Sequence, residues 1–274
     1  MMTEKCVATS SDAGYFPALM ALLRSLKATN PDIPVVVFDG GLTARQYRKA
    51  SRFARVERRK PFVELEGKGK FSYIGSSTLL KFESAALEHE KVLYLDADMV
   101  VLDSLDGLFD IPGGRVGVVP EVNAVKNMFR PRHREALAGN IGIDWDARGF
   151  NAGLFAFRPA EWRDLKERAL ALIETFGPDV FSKTKDQQLL NVIFAGKTYE
   201  FPGRYNFSPF YDESEEDPVI IHYLTEVKPW HRNYPKGRFY EKFRRYLAFS
   251  DHPLILLTDL HQRYGDVSAP RKTL

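Results

Sequence analysis

One cysteine, Cys6, in 274 residues excludes an intrachain disulfide framework and fits a reducing compartment. Its place in the apolar run Cys6-Val7-Ala8 suits burial rather than nucleophilic chemistry. An excess of one charge is also missing: 39 Lys and Arg stand against 36 Asp and Glu, a net charge of +3. The basic residues are scattered until the C-terminal stretch, so no electropositive stripe for nucleic acid is present. No uninterrupted apolar run approaches the ~20 residues that span a bilayer, and Met1 to Cys6 lack the apolar core of a signal peptide. The expected location is cytoplasmic. Internal repeats and low-complexity tracts are absent too.

What is present is an ordinary globular balance, 44% apolar and 27% charged, on a chain long enough for a substantial core. Short β-branched runs alternate with amphipathic segments, the pattern of an α/β fold with a largely parallel sheet flanked by helices. Strands are expected at Lys5–Thr9, Val35–Asp39, Val92–Leu95, Val116–Val119, Leu154–Phe157 and Val219–Ile221. Helices are expected at Tyr15–Asn30, from a Thr43 cap to about Phe53, and at Ser76–His89, Pro159–Phe176 and Asp186–Ala195. Residues 120–148 read as a loop-and-helix excursion. In such folds ligands sit at the carboxyl ends of strands, and the residues with chemistry follow apolar runs.

Tyr94-Leu95-Asp96-Ala97-Asp98 ends an apolar run with two carboxylates separated by one small residue. On extended backbone both would point the same way and converge on a hard cation, with Ala97 leaving room for a ligand. Asp is also common in surface turns after strands. Far downstream, Ile220-Ile221-His222-Tyr223 also ends an apolar run, followed by Lys228-Pro229-Trp230. An imidazole added to two carboxylates suits Mn²⁺ as well as Mg²⁺. Lys228 is a point charge able to neutralise a phosphate, and Pro229-Trp230 would anchor the segment.

Taken in order, Asp96-Ala97-Asp98, the Asn151-Ala152-Gly153 turn, Asp186-Gln187 and His222-Tyr223 with Lys228-Pro229-Trp230 resemble glycosyltransferase family 8. That family contains glycogenin, galactinol synthase and bacterial lipopolysaccharide glycosyltransferases. The resemblance covers roughly residues 5–230 and is most specific in the pairing of Asp-x-Asp with the distal His-x5-Lys-Pro-Trp. It implies a GT-A fold (Rossmann-like, with a mixed, mostly parallel sheet), a UDP-sugar donor, Mn²⁺ or Mg²⁺, and retention of anomeric configuration. By the same resemblance Asp96, Asp98 and His222 match the metal ligands and Lys228 the diphosphate-binding lysine. Lys81 matches the basic residue that reaches the donor, and Thr9, Asp12 and Tyr15 fall in the loop that holds the nucleoside.

Ala97, Ala152 and Gly153 would let donor atoms approach the backbone, and the Asn151 amide can bond sugar hydroxyls. Asp186 and Gln187 face the donor sugar in the family, as candidates to act at the anomeric carbon by front-face attack or double displacement. Thr225 departs from the pattern, because a glycine commonly stands three residues after the metal-binding histidine. Two other classes stay open. A sugar nucleotidyltransferase would carry a Gly-rich loop followed by Arg and Lys, where this chain has Thr9-Ser10-Ser11-Asp12-Ala13-Gly14-Tyr15. A non-catalytic sugar-nucleotide-binding protein would result if Thr225 disabled the donor loop. The acceptor, whether saccharide, lipid-linked or protein, is not named by any motif.

Residues 1–230 are thus expected to form the catalytic domain and 231–274 a basic amphipathic extension. Phe239, Tyr240, Phe243, Tyr246 and Leu247 lie along one side of that extension, to pack on the domain or to rest on an anionic membrane surface.

Overall fold

The computed structural model describes residues 4–63, 76–139, 142–210, 217–248 and 251. The remainder of the C-terminal extension lies outside the described residues. The first apolar run forms β1 (Lys5–Ser11), followed by helix α1 (Phe16–Thr29), β2 (Val35–Asp39), α2 (Ala44–Ala50) and β3 (Arg55–Arg58). Thr43 caps α2 in a reciprocal box with Gln46. Next come β4 (Lys91–Leu95), β5 (Met99–Val101), β6 (Val116–Ala124), α3 (Pro131–Ala138) and β7 (Arg148–Phe157). The chain continues with α4 (Leu165–Phe176), α5 (Asp186–Ile193), β8 (Thr198–Glu200), β9 (Ile220–His222) and α6 (Arg238–Arg245).

Seven strands form one sheet in the order β3-β2-β1-β4-β7-β6-β8. β1 to β4 run parallel, β7 is antiparallel to both β4 and β6, and β8 is parallel to β6. Strand order reverses between β1, which continues to β2 on one side, and β4 on the other. That is the switch point where an α/β sheet leaves a crevice at its carboxyl edge.

Side chains alternate across the sheet as the pleat requires. Cys6, Ala8, Val92 and Tyr94 face a core shared with α4, α5 and the 3₁₀ helix Ser76–Ala86. Val7, Leu93 and Leu95 face Leu22 and Leu26 of α1. Burial pushes the Cys6 thiol up to about 12, which leaves it the inert packing role its sequence context implied.

A third apolar cluster joins Ala18 and Ala21 of α1 to Tyr223, Trp230, Tyr234, Tyr240, Phe243 and Leu247. α6 therefore turns Tyr240 and Phe243 inward, and Trp230 anchors its segment.

Several boundaries differ from the expected ones. β7 begins at Arg148, so Asn151-Ala152-Gly153 is strand rather than turn. β6 continues to Ala124 through register shifts on either side of Pro120, because proline cannot hold a regular ladder but fits a bulge. The Ser76–His89 stretch is a 3₁₀ helix ending at Ala86. The helix expected over Pro159–Phe176 is split, with a 3₁₀ turn Pro159–Glu161 ahead of α4.

Candidate active site

A cavity of about 810 Å³ opens at the switch point. Its floor comes from the ends of β1 and β4, its walls from β6, β7, the start of α5 and the segment after β9. Of the residues singled out in the sequence, Asp12, Tyr15, Asp96, Ala97, Asp98, Asn151, Ala152, Gly153, Asp186, Gln187, His222 and Lys228 line it. Thr9, Lys81 and Thr225 do not. Thr9 is wholly buried in β1, where pairing with Val37 fixes it, and Ser10 and Ser11 take the place at the wall. Thr225 spends its hydroxyl on Val227 O at 2.6 Å.

Asp96, Asp98 and His222 come together, each offering one ligand atom within 4.8 Å of the others. Their convergence does not arise from extended backbone, as the sequence suggested. Residues 96–98 form a turn between β4 and β5. β5 then pairs antiparallel with β9, Met99 opposite His222, and Tyr223 N donates to Asp98 O at 3.1 Å. That two-stranded ladder carries a histidine from far along the chain to the side of Asp98.

His222 Nε2 lies 3.2 Å from Asp98 Oδ1, and Lys228 Nζ lies 2.6 Å from Asp98 Oδ2. Burial alone would push the Asp98 carboxyl up; Lys228 and His222 outweigh it and hold it well below the usual carboxylate range.

The donor set suits a divalent cation, with two hard carboxylates and one imidazole on the cavity wall. Backbone shape agrees. A Cβ on Gly153 would collide with His222 Cε1 and lie 3.0 Å from Asp96 Oδ2, so glycine keeps this space open.

Lys81 has no exposed surface. Its ammonium is 2.5 Å from Asp186 Oδ2 and 3.2 Å from Asp96 Oδ1, and it donates to Ala152 O at 2.9 Å. Burial opposes its charge, yet Asp186 and Asp96 raise its pKa above the ordinary lysine value. Lys81 acts on the cavity through those two carboxylates rather than by reaching into it. For Asp186, burial pushes the carboxyl above its ordinary range further than Lys81 pulls it back, and Asp96 adds to the rise. α5 is entered through Lys185, the one non-glycine residue with positive φ (45°) among the described residues. Such backbone strain is tolerated where it aims functional side chains, and here it precedes Asp186 and Gln187.

Asp12 organises the loop after β1. It accepts from Gly14 N at 2.9 Å, Tyr15 N at 3.2 Å and Ser77 Oγ at 3.2 Å. The Tyr15 ring packs edge-on against Trp230 with centroids 5.3 Å apart, tying the loop to the segment that carries Lys228.

Among the cavity residues that had escaped the sequence reading, two make polar contacts with the predicted site residues. Glu121 follows the Pro120 bulge and accepts from Gln187 Nε2 at 3.2 Å. Burial raises its carboxyl above the ordinary range, against the pull of Gln187, Asn151 and His222. A glutamate directly after an apolar strand and a proline was the available signal. Asn206 bonds His222 Nδ1 at 2.9 Å, and nothing in Tyr205-Asn206-Phe207 marks it out.

A model described as Glycosyl transferase family 8 matches residues 6–234. The lipopolysaccharide 1,2-glucosyltransferase of Escherichia coli K12 is 28% identical over 178 residues, 60% of this chain and 51% of that protein. The lipopolysaccharide glucosyltransferase WaaO of the same strain is 30% identical over 157 residues, 52% and 44% of the two chains. The chain thus spans about half the length of these two relatives. Among solved structures, LgtC, a galactosyltransferase crystallised with donor and acceptor sugar analogs, superposes with a TM-score of 0.70 at 23% identity. That match covers 88% of this chain and 94% of LgtC. At such identity the likeness concerns the fold, and the fold is GT-A. With the family model running from β1 past Trp230, through every strand that walls the cavity, the chain belongs to glycosyl transferase family 8.

Proposed function

We propose that this protein is a retaining hexosyltransferase that moves a sugar from a UDP-linked donor onto a saccharide acceptor, free or lipid-linked, or onto a protein. The observation that carries the reading is the meeting of Asp96, Asp98 and His222 with Lys228 on one wall of the cavity. Two carboxylates, an imidazole and an ammonium at a strand-end crevice are suited to an anionic leaving group.

A divalent cation, Mn²⁺ or Mg²⁺, held by Asp96, Asp98 and His222 would supply Lewis acidity to the departing diphosphate. Lys228 adds positive charge to the same group. Asp12 and Tyr15, with Ser10 and Ser11, hold the nucleoside. Ala97, Ala152 and Gly153 admit the donor close to the backbone, and Asn151 bonds sugar hydroxyls. Gln187 and Asp186 face the anomeric centre, with Lys81 fixing Asp186 in place. Thr225 bonds Val227 O and does not line the cavity, which favours an unobstructed donor loop over a non-catalytic binder.

Residues 1–230 form the catalytic unit in this reading, and 231–274 an extension whose described part completes its packing. No helix among the described residues is long and apolar enough to cross a membrane.

UDP release from a panel of UDP-sugars, with and without Mn²⁺, tests the proposal. The expected result is release that is selective for one or two donors and abolished by chelation. No release from any UDP-sugar at saturating cation would contradict it.

A further inference from the structure

Around the cation-site histidine, one run of hydrogen bonds has its direction fixed by the backbone. Gly153 N–H can only donate, and it donates to Asn151 Oδ1 at 3.0 Å. Asn151 Nδ2 is thereby turned to Gln187 Oε1, 3.1 Å away. The same Asn151 Oδ1 lies 3.4 Å from Asn206. An amide oxygen only accepts, so Asn206 presents its Nδ2 there. Asn206 Oδ1 is left facing His222 Nδ1 at 2.9 Å, and the imidazole must donate from that nitrogen. In the neutral ring the lone pair then sits on Nε2, the atom beside Asp98 Oδ1.

Position reinforces this order. Phe207 bridges in parallel to Ile221, and His222 N donates to Phe207 O at 2.8 Å. Asn206 is therefore held next to His222 by main-chain bonds on its own C-terminal side. Asn206 is 8% and His222 1% exposed, which leaves water little access to replace the amide.

We infer that Asn206 is a positioning residue: by accepting from His222 Nδ1 it holds the imidazole in the tautomer and orientation that present Nε2 to a divalent cation. The inference rests on the reading of Asp96, Asp98 and His222 as a cation site. A partner on the far nitrogen of a ligating histidine is worth about 10–100-fold in metal affinity.

The test is Mn²⁺ binding at saturating UDP, with free Mn²⁺ followed by electron paramagnetic resonance. Asn206→Leu removes the acceptor at similar volume, and Asn206→Ala removes it without a clash should the leucine misfold. Both are expected to weaken Mn²⁺ binding by about 10–100-fold. Asn206→Asp keeps an oxygen against Nδ1 and is expected to return most of the affinity, which a purely space-filling role would not explain. Wild-type-like binding by the leucine or alanine variant, or an aspartate variant as weak as the alanine one, overturns the inference alone. A wild-type protein that binds UDP but no Mn²⁺ overturns the cation site and this inference with it.

Discussion

Asp98 is a buried and Glu121 a half-buried carboxylate in one cavity, and their surroundings push them in opposite directions. Lys228 and His222 overcome burial at Asp98 and depress its pKa. A group depressed on folding contributes stability above its unfolded value near ~4, and that stability is lost as pH falls toward the folded value. Asp98→Asn also strands Lys228, which is 5% exposed. Breaking a buried pair in this way is expected to cost about 3–5 kcal/mol at pH 7. Urea unfolding of the metal-free protein checks it, with the gap to wild type narrowing below about pH 4.

Glu121 is the reverse case, raised by burial. Its folded form loses stability as pH rises from its unfolded value near ~4.3 through the higher folded one. Glu121→Gln has no such ionisation, so its thermal midpoint relative to wild type is expected to climb across that window. The same variant no longer offers Gln187 Nε2 a charged acceptor. Turnover is expected to fall by about tenfold, the rate equivalent of one charge-assisted hydrogen bond.

The elements that make the site are short, and this governs how much of it could be read in advance. Tyr94 to Asp98 and Ile220 to His222 were legible as strand ends bearing candidate ligands, because chemistry-bearing residues there interrupt apolar runs. What brings them together was not. β5 and β9 are three-residue strands, too short for any alternation to show, so the pairing of Met99 with His222 left no periodic trace. Likewise the bulge at Pro120 that carries Glu121 into the cavity depends on register against β7, which is a long-range property.

β7 offers the sharpest test at this scale. Because Asn151 to Gly153 lie on a regular strand, Gly153→Ala should keep that strand while its methyl, which would overlap His222 Cε1, pushes the imidazole out of place. Unchanged circular dichroism with Mn²⁺ affinity lower by about tenfold or more is expected. Retention of full affinity would show that the space is not needed.

Over the whole molecule, alternating strands and amphipathic helices made the α/β class legible, and the ordered motifs made the family so. The proposed division near residue 230 is open to test at this scale, since Trp230, Tyr234, Tyr240, Phe243 and Leu247 share one cluster with α1. Losing one buried aromatic typically costs about 3–5 kcal/mol, against a total stability of about 5–15 kcal/mol. A fragment ending at residue 230 would lose four of those five side chains. It is therefore expected to be insoluble or to unfold without a cooperative transition, checked by yield and a thermal scan. A fragment melting near the full-length midpoint would instead make the extension a separate appendage.

The central claim is that two acids and a distant histidine close on one ion at the diphosphate. Anomalous diffraction at the manganese edge, from crystals soaked with Mn²⁺ and UDP, tests it most directly. The expected result is a single peak within about 2.5 Å of an oxygen of Asp96, an oxygen of Asp98 and Nε2 of His222. UDP bound in the cavity with no peak there, or with the peak held by other side chains, would contradict it.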